Sequence, residues 1–432
     1  MKTKEIQEKK SNARLYPIYK MFSWDLLFYY SIIFLFLTQA KHFSASQVLL
    51  GDAFFTGTCL VMQIPAGFLV DKIGKRNSLV FANICMCIFS FLLIITKTYE
   101  LLLVAFFVDA IGYVIKSVCE NNMLYDSLPN GKKRGSLYST IDGVGASRYY
   151  IIDAITSLMA GYLFVINPYI PMFLCFFTNL ISTILATRFN KIDFPEKDFK
   201  NRESMSEYFE KLRIAIRFSF KSKRMLCLLI FFGIISGLTY NLTTFRSGVL
   251  EQVQLPEQYF GIVFAIIQIM ASICSGTQNI IHKRFRNKTL SFMGIPYVVS
   301  CMIIGFLAMG NPNFTKIFCI ILLFVIQGAI KGAYNVLIYR YLNNFTNKEI
   351  RGKLATIRNI FYNIISILIS LLGALLLHVT DSANTILIIG GFLTIAIILL
   401  LDYMRGRVGL KPEKFSLFLY AFLFYNLAIH IL

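Results

Sequence analysis

Charged side chains are scarce. They make up 15% of the 432 residues, where a soluble domain carries about a quarter. A water-soluble fold of this composition would need helices that are apolar on every face, so a soluble globule is excluded. Histidine is sparse too: His42, His282, His378 and His430 are the only four. All lie near loops or the ends of apolar runs, with no His-Glu-x-x-His and no ligand at metal spacing. No metal site, and no membrane-embedded enzyme of the metalloprotease, paired-aspartate or Ser-His kind, is expected. The nine cysteines are an odd set with no C-x-x-C pair, which excludes a disulfide framework and a zinc site. They read as small buried hydrophobes. The polar, basic stretch Met1 to Lys20 is followed by an apolar run without a cleavage site, so it is expected to be retained.

What is abundant is apolar length. Hydrophobic residues make up 56% of the chain and recur in runs of about twenty, the number that crosses a bilayer. The predicted spans are Tyr16–Thr38, Val48–Val70, Ser78–Thr96, Leu101–Leu124, Leu137–Val165 and Tyr169–Thr187, then Met225–Thr244, Tyr259–Ile281, Leu290–Met309, Ile317–Leu342, Ile357–Leu377 and Ala383–Tyr403. The expected fold is an all-α membrane protein with twelve transmembrane helices in two pseudo-symmetric six-helix bundles. The net charge of +20 does not signal nucleic acid, because the cations sit in the gaps between apolar runs, next to anionic headgroups. With the N-terminus inside, 35 of the 43 Lys and Arg fall in inside segments. The positive-inside rule then puts both ends of the twelve-helix body in the cytoplasm, as a multi-pass protein of the plasma membrane.

The expected units are 1–189, a first six-helix bundle; 190–223, a cytoplasmic linker; 224–404, a second bundle; and 405–432, a tail. In the linker, Ser204 and Glu207 have capping-box spacing, and Met205, Phe209, Leu212, Ile216 and Phe220 share one helical face, which predicts an amphipathic helix on the inner surface. In the tail, Phe415 to Leu432 is uncharged apart from His430 and is expected to lie in the interface or to span. The segment Arg134-Gly-Ser-Leu137 recurs as Arg351-Gly-Lys-Leu354, 217 residues on, each time opening the fifth helix of its half. This points to a duplicated six-helix unit.

Between the second and third spans stands Gly67-Phe-Leu-Val-Asp71-Lys-Ile-Gly74-Lys75-Arg76. Asp71 lies at a helix end on the basic side, where it can pair with a cation or cap a neighbour. Gly67 would let two helices approach closely, Gly74 permits a tight turn, and the basic pair anchors the turn to headgroups. The segment resembles the signature loop of the major facilitator superfamily, Gly-x-Leu-Ala-Asp-Arg-x-Gly-Arg-Lys, and the resemblance covers essentially the whole twelve-helix body. Glu120-Asn-Asn-Met-Leu-Tyr125-Asp126-Ser127-Leu128 resembles a segment of a bacterial efflux-type branch. The Gly-Pro-x-x-Gly-Pro motif of drug/proton antiporters is missing, as is their helix-four arginine, which speaks against simple drug antiport. Asp126, Arg134 and Arg351 join Gly67, Asp71, Gly74, Lys75 and Arg76 as the expected gating set.

An ionisable group near the bilayer centre costs roughly 2.5–3.5 kcal/mol on insertion scales, so those at membrane depth must face each other or a hydrated space. Asp109, Lys116 and Glu120 are spaced by seven and four and share nearly one helical face, with Lys116 and Glu120 placed to pair. Asp25 has no cation within a turn except Lys20. Asp25, Asp109 and Glu120 are the candidate proton-coupling groups. In the superfamily the first and fourth helices of each half line a central cavity, which the resemblance implies here. The candidate substrate contacts are Lys116, Arg148, Tyr240, Asn241, Gln327, Lys331, Tyr334, Asn335 and Tyr362. Arg246 and Arg358 are expected to snorkel from helix ends.

The expected function is secondary active transport of a small organic molecule by alternating access, proton-coupled and exporting. Proton-coupled uptake or exchange of a polar or anionic metabolite stands as the alternative, motivated by Lys116, Arg148 and Lys331. The expected partners are a small-molecule substrate, protons and membrane lipids, with no cofactor, no nucleic acid and a monomeric state.

Overall fold

A computed structural model describes residues 2–129, 134–190, 205–285, 289–344 and 348–407. Every regular element among them is helical. In chain order these are α1 (Lys2–Ser23), α2 (Ile33–Leu35) running into a wide π turn (Phe36–Ala40), α3 (Ala45–Ile73), α4 (Lys75–Ile95), α5 (Tyr99–Ser127), α6 (Arg134–Ile166) and α7 (Tyr169–Thr187). They continue with α8 (Met205–Lys221), α9 (Lys223–Gln252), α10 (Gln258–Phe285), α11 (Thr289–Ala308), α12 (Phe314–Asn344), α13 (Lys348–Val379) and α14 (Ser382–Arg407). Ten of these helices contain a stretch long and apolar enough to cross a membrane, and α10 adds a shorter apolar stretch at Gln258–Cys274.

Local chemistry fixes where the helices start and stop. Ser44 accepts from the Gln47 backbone while the Gln47 side chain accepts from Ser44, a capping box that opens α3. Thr98 caps α5 and Ser222 caps α9 in the same way, each accepting from the backbone three residues on. Gly74, with φ +90°, separates α3 from α4; a side chain would strain that left-handed conformation.

The predicted continuous first span, Tyr16–Thr38, is corrected. The helix stops at Ser23 and resumes at Ile33. Between them Asp25 turns its carboxylate back to accept from the Leu26 backbone at 2.9 Å, and Phe28 adopts φ +61°, a conformation that costs of order 1–3 kcal/mol for a bulky residue. Irregular backbone at membrane depth is tolerated only when protein or a hydrated space surrounds it. Residues 26–29 and 31–37 are all buried.

Most packing is between helices of the same half of the chain: α4 with α5 and α7, α10 with α12, α11 with α14. Across the halves, α9 makes lighter contacts with α2 and α3, and two pairs pack extensively, α3 with α13 and α6 with α10. The second is the tighter. A Cβ built on Gly261 of α10 would lie 2.1 Å from the Ser157 carbonyl oxygen, and one on Gly161 of α6 2.8 Å from that of Gln258. Only small residues let two backbones touch like this.

In the linker, α8 occupies the predicted amphipathic stretch. Ile216 packs against the core, and the exposed Phe220 ring lies 5.9 Å from Phe361. Ser204, the tail 415–432, and the side chains of Met205, Glu207, Phe209 and Leu212 lie outside the described residues.

Candidate functional site

The break in the first span brings chemistry together. Asp25 accepts from the Tyr30 hydroxyl at 2.6 Å as well as from Leu26. Its electrostatic partners come from both halves: Lys116 on α5 and Lys331 on α12. The charges of Asp153 on α6 and of Asp25 both act on Lys331, and Asp153 accepts from Gln268 of α10 at 2.9 Å. Trp24 at the start of the break lies edge-on to Tyr149 and Tyr150 of α6, with centroids 5.2 and 5.1 Å away.

On α5, Asp109, Lys116 and Glu120 are all buried, at 7%, 4% and 6% exposure. The expected Lys116–Glu120 pair does not form. The Lys116 ammonium rests 3.7 Å from the Met86 sulfur, while Asp109 Oδ1 and Glu120 Oε1 have no hydrogen-bond partner. Spacing brought the two Cβ atoms to one face, but the lysine's long stem carries its head toward α4. The cations that act on Glu120 are Lys116 and Lys20. Lys20, itself buried, pairs with Asp142 of α6, which also accepts from the Tyr16 hydroxyl at 3.0 Å.

The second half contributes cations and amides. Arg246 does not snorkel: it is 4% exposed and donates to Gln327 Oε1 at 3.2 Å. Gln327 donates to Ser300 Oγ at 2.8 Å. Asn241 ties α9 to α13, donating to Ser366 Oγ at 3.2 Å and accepting from Ser370 at 2.6 Å. Tyr334 donates to the Phe232 carbonyl at 2.8 Å. Tyr240 stacks on Phe55 of the first half, with centroids 6.1 Å apart, and lies edge-on to Tyr362. Arg148 stands apart: it is exposed, on the α6 stripe that also shows Val144, Ile151 and Ile155. The Asn335 side chain lies outside the described residues.

At the end where the Lys72–Arg76 turn lies, called the basic end here, Lys75 pairs with Asp126. Arg76 donates to the carbonyls of Thr187 at 2.6 Å and Phe189 at 3.1 Å, closing the end of α7. Gly67 departs from expectation, since a Cβ there would meet nothing within 4 Å; no helix presses on it in this arrangement. The side chains of Asp71, Arg134 and Arg351 lie outside the described residues.

At the other end, the halves are tied by contacts that the sequence reading missed. Thr244 of α9 donates to Asp52 of α3 at 2.9 Å. Ser46 donates to the Ala374 carbonyl at 2.8 Å, and Gln39 to Glu251 at 3.1 Å. The signal was present for Asp52, an acid inside an apolar helix, but its place two turns from the Ser44 cap made it resemble an ordinary N-terminal acid.

With this geometry in view, known proteins offer a comparison. The family description Major Facilitator Superfamily matches residues 19–321 and, in a second alignment, 255–424. An uncharacterized transporter of Rickettsia bellii (strain RML369-C) is 28% identical over 151 residues, 35% of this chain and 36% of that protein. The match therefore spans about a third of that relative's length. A mutant of the nucleoside transporter NupG superposes with a TM-score of 0.74 at 14% identity, over 91% of this chain and 99% of that one. A POT family transporter in complex with 5-aminolevulinic acid superposes with a TM-score of 0.65 at 10% identity, over 92% and 95%. Likeness at these identities is a likeness of fold.

Proposed function

This chain belongs to the Major Facilitator Superfamily, and on that premise we propose that it is a proton-coupled secondary transporter of a small polar organic molecule, working by alternating access at the plasma membrane. The direction we adopt is export, from the efflux-type resemblance of the segment Glu120 to Leu128. Twelve spans in two six-helix bundles remain our reading of the body. The ten apolar helices support it, with the broken segment from α1 to Ala40 taken as the first span and α10 as the eighth. The cation-rich connections support a cytoplasmic N-terminus.

One observation carries the proposal. Asp25 sits in a helix break where Lys116 of the first half and Lys331 of the second both act on it. A carboxylate at such a junction gains or loses counter-charge whenever the halves move relative to one another, and that is how proton binding becomes linked to the open side. Discontinuous helices at the midplane are where transporters of this general build hold substrate and ions. Asp109 and Glu120, buried with unpartnered oxygens, are proposed to share the proton-coupling role. Lys116, Gln327, Lys331, Tyr240 and Tyr362 are the proposed substrate contacts nearest this junction, while Asn241 and Tyr334 would have to release their helix-tying bonds to join them. Nucleosides and peptides, the molecules for which the structural neighbours are named, are the first compounds to screen.

The test uses the full chain in proteoliposomes. Asp25→Asn is expected to abolish accumulation driven by an imposed pH gradient while leaving substrate exchange at equal pH. Gradient-driven accumulation by the variant at the wild-type rate would remove Asp25 from the coupling.

The Asp52–Thr244 contact is read as part of the gate opposite the basic end. A hydrogen bond to a charged group contributes about 1.5–3 kcal/mol. Thr244→Val is therefore expected to shift the population toward the state open at that end by roughly ten- to hundredfold. Spin labels on the 41–44 and 380–381 turns would report it as a longer distance; an unchanged distance distribution would show that the contact does not gate.

A further inference from the structure

Arg246 presents a buried charge with no counter-ion among the described residues. The residue is 4% exposed. Its hydrogen-bond partner is the neutral Gln327, the Phe324 ring lies 5.6 Å from its central carbon, and its Nε–H has no acceptor. Among the described residues no carboxylate reaches it; the groups that act on it are Tyr297 and Cys301. The second half has no acid at membrane depth to supply one: Glu251, Glu257, Glu349, Asp381 and Asp402 all lie at or near helix ends. The charge of Arg246 acts on another cation, Lys331, one turn along α12 from Gln327.

This arrangement is costly as it stands. A guanidinium does not give up its proton inside a protein, and an ion taken out of water without a partner costs several kcal/mol. The surroundings nevertheless hold it in place. Ser300 Oγ and Cys301 Sγ take the Gln327 amide hydrogens, at 2.8 and 3.4 Å, and so turn the amide oxygen toward Arg246. The unused Nε–H belongs to the edge with which arginine clamps a carboxylate or phosphate through two parallel bonds. Lys331 is half-buried and acts on Asp25 and Asp153 as well as on Arg246, which links this pocket of charge to the junction between the halves.

We propose that Arg246, Gln327 and Lys331 form an anion-binding subsite that takes the carboxylate or phosphate group of the transported molecule. The inference rests on the transport reading for its purpose, and binding itself is measurable without transport. The missing negative charge arrives with the substrate: it bonds bidentately to Arg246, and Lys331 adds a second ammonium contact. An entering anion also competes with Asp25 and Asp153 for Lys331, so substrate binding alters the counter-charge of the proposed coupling carboxylate.

The test is thermal stabilisation of the full chain in lipid nanodiscs at constant ionic strength, titrated with formate, inorganic phosphate and, as a neutral control, formamide. Saturable stabilisation by formate or phosphate and none by formamide is expected, and the better of the two anions names the class. Arg246→Lys keeps the charge but loses the bidentate edge, and is expected to weaken binding by about tenfold or more. Lys331→Met, which leaves the guanidinium and its packing untouched, is expected to weaken it to a lesser degree. No saturable stabilisation of the wild type by either anion overturns the proposal, as does stabilisation that survives unchanged in both variants. Anion binding that meets these expectations in a chain that moves nothing across a bilayer would leave the subsite standing and remove the transport reading instead.

Discussion

Gly261→Leu is expected to abolish net transport while leaving a folded chain. At the crossing of α6 and α10 a Cβ on Gly261 would stand 2.1 Å from the Ser157 carbonyl oxygen and 3.0 Å from that of Leu158. Both obstacles are backbone, held in a helix, and neither can swing aside as a side chain would. The two helices belong to different halves, so the added volume is not absorbed within one bundle but acts as a wedge between them. Overpacking of this kind costs about 1–3 kcal/mol, a cost the protein avoids by keeping the halves apart at this point. On the transport reading the chain would then be confined to states open at this end, and a carrier that cannot close there cannot complete a cycle. Flux in proteoliposomes should fall to background, the melting temperature should drop only modestly, and the distance between labels at Asn167 and Glu257 should lengthen. Wild-type flux with an unchanged distance would show that the tight crossing has no part in the working cycle. Gly261→Ala, which adds the same Cβ but nothing beyond it, is expected to fall between the two.

The same crossing shows what the sequence could and could not reveal. Helices were legible wherever about twenty apolar residues stood between cations: Tyr169–Thr187 is found at its predicted bounds, and Leu290–Met309 appears as Thr289–Ala308. The duplicated Arg-Gly-x-Leu element opens both α6 and α13, each of which packs extensively against a helix of the other half. The first span was not legible. From Trp24 to Ile32 there is neither glycine nor proline, and the residues are as apolar as those of an unbroken helix. What accompanies the break is a local bond, Tyr30 to Asp25, together with tertiary packing: the rings of Tyr149 and Tyr150 against Trp24, and the strained Phe28 held among buried neighbours. Arg246 was misread for a related reason. Two turns from a helix end is within snorkelling reach, and only the packing of α11 and α12 over it, through Ser300, Cys301, Phe324 and Gln327, denies it a route to water. Lys116 and Glu120 show the limit of spacing arguments: four residues apart places two Cβ atoms side by side and leaves the rotamers undecided.

Lys116→Met is expected to remove both stability and transport, and adding Glu120→Gln to restore stability alone. Lys116 is the one cation on α5, and the acids that act on it are Glu120, Asp25 and Asp109. It touches none of them within ion-pair distance, so its effect is through space. Beyond ion-pair distance, with an effective dielectric constant of about 20, each ionised carboxylate contributes on the order of 1–3 kcal/mol of attraction. Relief from burying the ammonium offsets part of that, so the single variant should melt several degrees lower at alkaline pH. Glu120→Gln removes one charge from the uncompensated set and should return a large part of the loss. Transport should stay absent in the double variant, because one proposed coupling carboxylate is gone, Asp109 lacks its cation and Asp25 keeps only Lys331. The stability deficit of the single variant should shrink on acidification, since a protonated acid has no charge left to compensate. Melting curves of the three proteins across a pH series, with flux measured in parallel, are decisive. A Lys116→Met chain as stable as the wild type at alkaline pH would mean that these acids are neutral in the resting protein, and the lysine would then have to be assigned to substrate rather than to the carboxylates around it.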